Sequence, residues 1–271
     1  MSSNLAIGAG NLVDVTGATV ACSNASTDYP AANLQVSEIG SPMRSIDLGT
    51  TTIVATLAAS VTLSSFAVSL IKHNLRSSAT YTLVFKDSGG STVRTVSGRA
   101  ANADGFWASK IDGQSRNIAL YQDDVSLTFK SVEITLSDAG NPDGYYQVAR
   151  LAVLPLIEPQ QGFAYGWGVA WVDPSEIGET AGGNLVRRVR TKYRKGTFEL
   201  KRLREAEAWD DFFSTIDAIA GKTKDCLVLP FRDQPTRLQA RMFWGSQDDL
   251  GAVTNPIFQR YGKTLSFRER T

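Results

Sequence analysis

Residues 65–87 read SFAVSLIKHNLRSSATYTLVFKD, and this stretch decides the fold class. FAVSLIK (66–72) and TYTLVFK (80–86) are short runs rich in β-branched and aromatic residues, the composition of strands. The polar HNLRSSA between them supplies a loop, and DSGG (87–90) supplies a turn. Working outward, the same texture recurs at 50–57, 92–96, 126–136 and 147–153. SVEITLS (131–137) alternates cleanly, so Val132, Ile134 and Leu136 share one face of a strand that covers a core. Turn clusters at 101–105 and 138–144 separate the runs. Many short strands without helices predict a sandwich or jelly roll over residues 1–155.

LPLIEPQQG (154–162) holds two prolines and a glycine, so residues 156–162 read as a linker and 163–271 as a second domain. Its strands are expected at 163–172, 184–195, 197–203, 226–231, 238–244 and 264–268, with a hairpin turning at Gly196. One helix is expected over 204–220. There Ala206, Trp209, Phe213, Ile216 and Ala220 form an apolar face that Phe212 widens, and Gly221 stops the helix. The fold class is therefore mainly β: a sandwich followed by an α+β domain with one main helix.

The chain has 271 residues, with 28 Lys and Arg against 27 Asp and Glu. Residues 1–150 carry 10 basic and 12 acidic side chains, and residues 151–271 carry 18 and 15. Neither −2 nor +3 makes a polyanion-binding tail. Two cysteines, Cys22 and Cys226, fall in different expected domains, so no disulfide framework is read. The first residues lack a basic n-region and a long apolar core, so no signal peptide is expected. No apolar run approaches 18 residues, so membrane insertion is not expected.

Candidate chemistry is sparse. His73 is the single histidine, which rules out multi-histidine zinc sites and reads as a structural strand-end imidazole. Asp123 with Asp124, Asp210 with Asp211, and Asp248 with Asp249 are adjacent pairs. Neighbouring residues diverge on a strand or a helix, so these do not converge as catalytic carboxylates do. Asp138, Asn141 and Asp143 share a loop with oxygen ligands but lack EF-hand spacing, and read as turn chemistry. No catalytic, cofactor-binding or metal-binding residue is assigned, and no cofactor is expected. The glycines at 162, 166 and 168 do not make a phosphate loop. In RRVRTKYRK (187–195), Arg188, Arg190, Lys192 and Arg194 would face one way on a strand at about 6.7 Å intervals. That row is read as a subunit interface, with Asp210, Asp211, Asp248 and Asp249 of a neighbouring subunit as counter-charges. Tyr29, Trp107 and Arg116 sit in expected loops and are candidate ligand contacts.

Two resemblances join these readings. YPAANL (29–34), SIDLG (45–49) as a strand, then HNL (73–75) leading to ATYTL (79–83), resemble the discoidin-like, galactose-binding-like sandwich at the front of phage tail proteins. LREAEAWDDFF (203–213), RMFWG (241–245) and SFRER (266–270) resemble the ring-forming domain of siphophage distal tail and minor tail proteins. The resemblance implies a non-enzymatic structural protein of a long-tailed phage tail tip or baseplate, made in host cytoplasm and located in the virion tail. It implies a six-fold homo-oligomeric ring, tail tube and baseplate hub proteins as partners, and DNA only as passing cargo. The alternative is a carbohydrate-binding module on an adaptor domain, contacting host surface glycan.

Overall fold

In the computed structural model, residues 5–102 and 115–271 are described. The chain is mainly β, with a sandwich and few helices, as the sequence pattern implies. One face of the sandwich is a five-stranded antiparallel sheet. Its order is Thr19–Cys22, Thr51–Leu63, Leu127–Ser137, Thr80–Lys86 and Thr92–Ala100. The other face is made by Arg150–Ile157, Phe66–Ile71 and Ile118–Asp123. Phe66, Phe85, Tyr121 and Phe129 meet between them, with ring centroids 5.1 to 6.2 Å apart. Val68, Leu83, Val132, Ile134 and Val153 complete that core.

Those last three strands do not end with the sandwich. They continue into a ten-stranded sheet through Leu5–Gly8, Cys226–Pro230, Phe243–Leu250, Arg260–Glu269, Tyr193–Leu203 and Gly168–Val172, with Thr254–Ile257 paired to Arg260–Glu269 as a branch. The first strand pairs Ile7 with Ile157 on one side and with Val228 on the other. Leu5 and Ile7 pack in the core of the C-terminal half, beside Phe198, Phe212 and Phe243. The expected division at 1–155, 156–162 and 163–271 therefore needs two corrections. The N-terminal strand belongs to the C-terminal core. Leu154, Pro155, Leu156 and Ile157, expected at or in the linker, are sheet: Pro155 lies in register with Phe66, Ile157 with Ile7, and Leu154 is fully buried.

Phe66–Ile71 is buried at every position. Phe66, Val68 and Leu70 face the sandwich core, while Ala67 and Ile71 join a separate cluster with Leu227, Leu229, Met242 and Trp244. A strand covered on both faces reads as a nearly continuous apolar run, with Ser69 here the one polar residue, itself fully buried. FAVSLI is thus the shared middle layer of the molecule.

Several local expectations are corrected. Gly196 is not a turn; it lies inside Tyr193–Leu203, where an added Cβ would fall 2.9 Å from the Phe243 ring. Residues 46–49 form a turn closed by Gly49 N–H donating to Asp47 Oδ1 at 2.8 Å, not a strand. Residues 238–241, expected as strand, form a short helix, Leu238–Arg241.

The main helix, Glu207–Ala220 with one lead-in turn from Glu205, is wound with i→i+5 bonds, as in Gly221 N–H to the Ile216 carbonyl. Its wider turn puts residues four apart in line, so Ala208, Phe212, Ile216 and Ala220 are buried. Trp209 and Phe213, expected on the buried face, are 40% and 50% exposed. In place of a Ser or Thr cap, the Glu207 carboxylate accepts from the N–H groups of Arg204 and Gln160. No helix among the described residues is long and apolar enough to cross a membrane.

Candidate interaction surfaces

The basic run does not make one charged row. It is divided among the strand Leu185–Arg188, a connecting segment, and the strand Tyr193–Leu203. Leu185–Arg188 pairs only with Glu176–Glu179, giving a two-stranded hairpin whose eight strand residues are all exposed. Arg190 pairs with Glu176 at 2.5 Å, Arg188 approaches the same carboxylate at 4.0 Å, and Lys192 meets Asp173 at 3.5 Å. Ser175 ties the base of the hairpin by accepting from the Arg190 N–H. Ile177, Leu185, Val186 and Val189 stand in solvent around these charges.

Arg194 belongs to a different environment. Its side chain is 3% exposed and meets Glu269 at 2.5 Å, while donating to the carbonyls of Gln239 and Ala240. Arg116 reaches the same Glu269 at 2.6 Å from the sandwich side and donates to the Lys192 carbonyl. Burial alone would raise the Glu269 pKa, but the two guanidiniums outweigh it and hold the carboxylate below its usual range. Arg116 is therefore an interior clamp between sandwich and C-terminal half, not a ligand-loop residue; it also lies over the Trp171 ring at 4.9 Å. Arg232 makes a parallel clamp, reaching Asp124 at 2.7 Å and also Glu158. Gln239 closes the sheet edge by exchanging hydrogen bonds with both backbone groups of Ile118.

The other expected carboxylates separate in the same way. Asp248 is held by Lys195 of its own chain at 2.6 Å, and Asp249 lies 3.8 Å from Lys222. Asp210 and Asp211 have no ion-pair partner among the described residues. Partial burial raises the Asp211 pKa, and Glu207 and Asp210 add to the rise. These acids flank the exposed Trp209, Phe213 and Ile219. The Trp209 and Phe213 rings meet edge-on at 5.2 Å.

Asp123 is engaged by Arg94 and the Tyr121 hydroxyl, so it does not share a site with Asp124. Asp138 holds the Arg76 side chain and N–H, Asn141 donates to the Asn74 carbonyl, and Asp143 accepts from Asn74. The oxygens of that loop serve the protein, and no group of potential metal ligands is found among the described residues. His73 is fully buried with Nδ1 accepting from the Leu75 N–H, and burial lowers its pKa to about 4. Cys22 and Cys226 are free thiols, and burial pushes that of Cys226 up to about 12.

Trp107 lies outside the described residues. Tyr29 does reach a cleft-side cluster, one that spacing alone did not reveal. Arg44 lies between two rings, 4.1 Å from the Tyr29 centroid and 5.1 Å from that of Tyr145. A cleft of about 300 Å³ opens beside it. Arg44 and Tyr145 were not singled out in the sequence, because they are far apart along the chain and join only through the pairing of Met43–Arg44 with Gln147–Val148.

No protein-family model and no curated protein matches the chain. Solved structures do. A Clostridium perfringens family 32 carbohydrate-binding module in complex with GalNAc-β-1,3-galactose is 13% identical, with a TM-score of 0.39, over 54% of this chain and 99% of that one. The family 32 module of Clostridium perfringens NanJ in complex with galactose is 12% identical, with a TM-score of 0.38, over 56% and 99%. Chitosan-binding module 1 from a Paenibacillus chitosanase/glucanase is 18% identical, with a TM-score of 0.39, over 53% and 98%. The likeness covers about half of this chain.

Proposed function

We propose that the chain is a non-catalytic assembly protein of a long-tailed phage tail tip or baseplate, located in the virion tail. Its copies join head to tail into a ring that docks tail tube and hub proteins. The hairpin Glu176–Glu179 with Leu185–Arg188 carries this reading. A two-stranded hairpin is marginal in water, and this one exposes Ile177, Leu185 and Val186 with no further strand beside it among the described residues. It also carries Arg187 and Arg188, of opposite sign to the acids around Trp209 and Phe213. Two different complementary patches on one molecule make a heterologous contact, which closes into a ring when the rotation permits. Engagement of Asp123, Asp124, Asp138 and His73 in internal contacts supports a role without catalysis.

Charge exchange tests the contact. Sedimentation velocity and negative-stain microscopy should show rings for the wild-type chain. Reversal of Arg187 and Arg188 to Glu should leave monomers, and adding Asp210→Lys with Asp211→Lys should restore assembly. A wild-type chain that stays monomeric at high concentration, or reversal without effect, defeats the proposal.

A second reading, a sugar-binding module contacting host glycan, is favoured by one observation. Tyr29 and Tyr145 bracket Arg44 beside an open polar cleft on the sandwich half.

A further inference from the structure

The cleft beside Arg44 is built from residues that the assembly surfaces do not use. Arg44 is on the two-residue strand Met43–Arg44, and its N–H donates to the Tyr29 carbonyl at 3.2 Å. Its Nε donates to Gln147 Oε1 at 3.0 Å. Gln147 is in turn fixed, because its own N–H donates to Asn74 Oδ1 at 2.7 Å. Asn74 is held by Asp143 and the Tyr145 carbonyl. The guanidinium plane is thus positioned by two aromatic rings and one amide, and its rotamer freedom is largely spent before any ligand arrives.

Among the described residues, neither terminal nitrogen of Arg44 has a hydrogen-bond partner in the protein. Lys72, Ser115, Tyr145 and Gln147 line the same cleft, as does Thr271, and among the described residues no carboxylate side chain does. A positioned guanidinium with its outer edge open matches a carboxylate, which accepts two parallel N–H bonds. A neutral sugar has no planar pair of acceptors for that edge. The tyrosine, serine and amide groups around it suit hydroxyls.

We infer that this cleft binds a hexuronic acid, the sugar carboxylate taking the terminal nitrogens of Arg44 while Tyr145 and Gln147 meet ring hydroxyls. This rests on the sugar-binding reading and deepens it by naming the ligand class.

Isothermal titration of the full chain with glucuronate, glucose and acetate separates the parts. Glucuronate should bind at least tenfold more tightly than either glucose or acetate. Arg44→Gln should reduce glucuronate binding tenfold or more with the melting temperature unchanged. Gln147→Ala, which frees Nε and loosens the guanidinium, should give a smaller loss. Equal binding of glucose and glucuronate, or Arg44→Gln without effect, overturns the carboxylate inference and leaves the sugar reading standing. Acetate binding as tightly as glucuronate shows a carboxylate site that does not recognise sugar, and so overturns the hexuronic acid assignment. Binding of none of the three overturns the inference and the sugar reading together.

Discussion

Arg190 and Arg194 are four residues apart in one basic run, yet they occupy opposite electrostatic worlds. Arg190 sits at the base of the solvent-exposed hairpin and shares Glu176 with Arg188, whose side chain is 72% exposed. Arg194 shares Glu269 with Arg116 at the junction of the two halves, and all three side chains are at most 4% exposed. The contrast teaches that the same residue type can work on assembly or on folding, depending on what covers it. An exposed pair is screened by water and contributes roughly 0–1 kcal/mol. A buried cluster gains little over an apolar one, but removing one member strands the remaining charge at a cost of about 3–5 kcal/mol.

The largest expected effect tests the buried side. Glu269→Gln leaves Arg116 and Arg194 facing each other without a counter-ion, and denaturant titration should show a loss of about 3–5 kcal/mol. Loss below 1 kcal/mol would mean that water reaches the cluster. Because the Glu269 pKa is lowered in the folded chain, its contribution is present above the unfolded carboxylate pKa and fades as pH falls through the folded value.

His73 extends the contrast to a buried group with no counter-charge bonded to it. Its folded pKa is about 4 against an ordinary 6.5, so the unfolded chain takes up a proton that the folded chain refuses. Stability should therefore fall as pH drops from about 6.5 to 4, by up to an order of 3 kcal/mol. Histidine-to-asparagine replacement at position 73 should flatten that limb of the curve, read from chemical denaturation at each pH. An unchanged pH dependence would show that carboxylates alone produce it.

On the exposed side the expected effects on the fold are small. Glu176→Gln should cost no more than about 1 kcal/mol, and less as salt is raised. Ile177→Asp should change monomer stability by about 0.5 kcal/mol or less, yet abolish ring formation in sedimentation velocity. If it unfolds the chain instead, the hairpin is part of the fold and the comparison with Glu269 collapses. Arg194→Glu belongs with the first experiment, since it would put a second carboxylate against Glu269 and report on folding, not assembly.

Much of the β architecture was legible from local pattern. The alternation of Val132, Ile134 and Leu136 marked a strand with one face on a core, and the apolar run from Phe66 marked another strand, because side-chain periodicity follows directly from pleat geometry. The helix was legible in place and in part of its face: Phe212, Ile216 and Ala220 are buried as read, while Trp209 and Phe213 turn outward because i→i+5 winding departs from a 3.6-residue count. The candidate sites were read less well. Arg116 and Arg194 carried the right charge for a surface and were placed inside, because Glu269 arrives from the last strand of the sheet.

Local pattern was enough for what acts over a few residues, such as most of the strands and the inward face of Leu127–Ser137, though it missed the helix Leu238–Arg241 and the strand that runs through Gly196. Only the tertiary structure decided that Leu5–Gly8 would join Cys226–Pro230, that one strand would serve two cores, and that Arg44 would meet Tyr145. Those outcomes depend on pairing between segments that lie from 47 to 225 residues apart. Chain periodicity records how much surface each segment must hide, but the identity of the surface that hides it is settled only when the whole sheet closes.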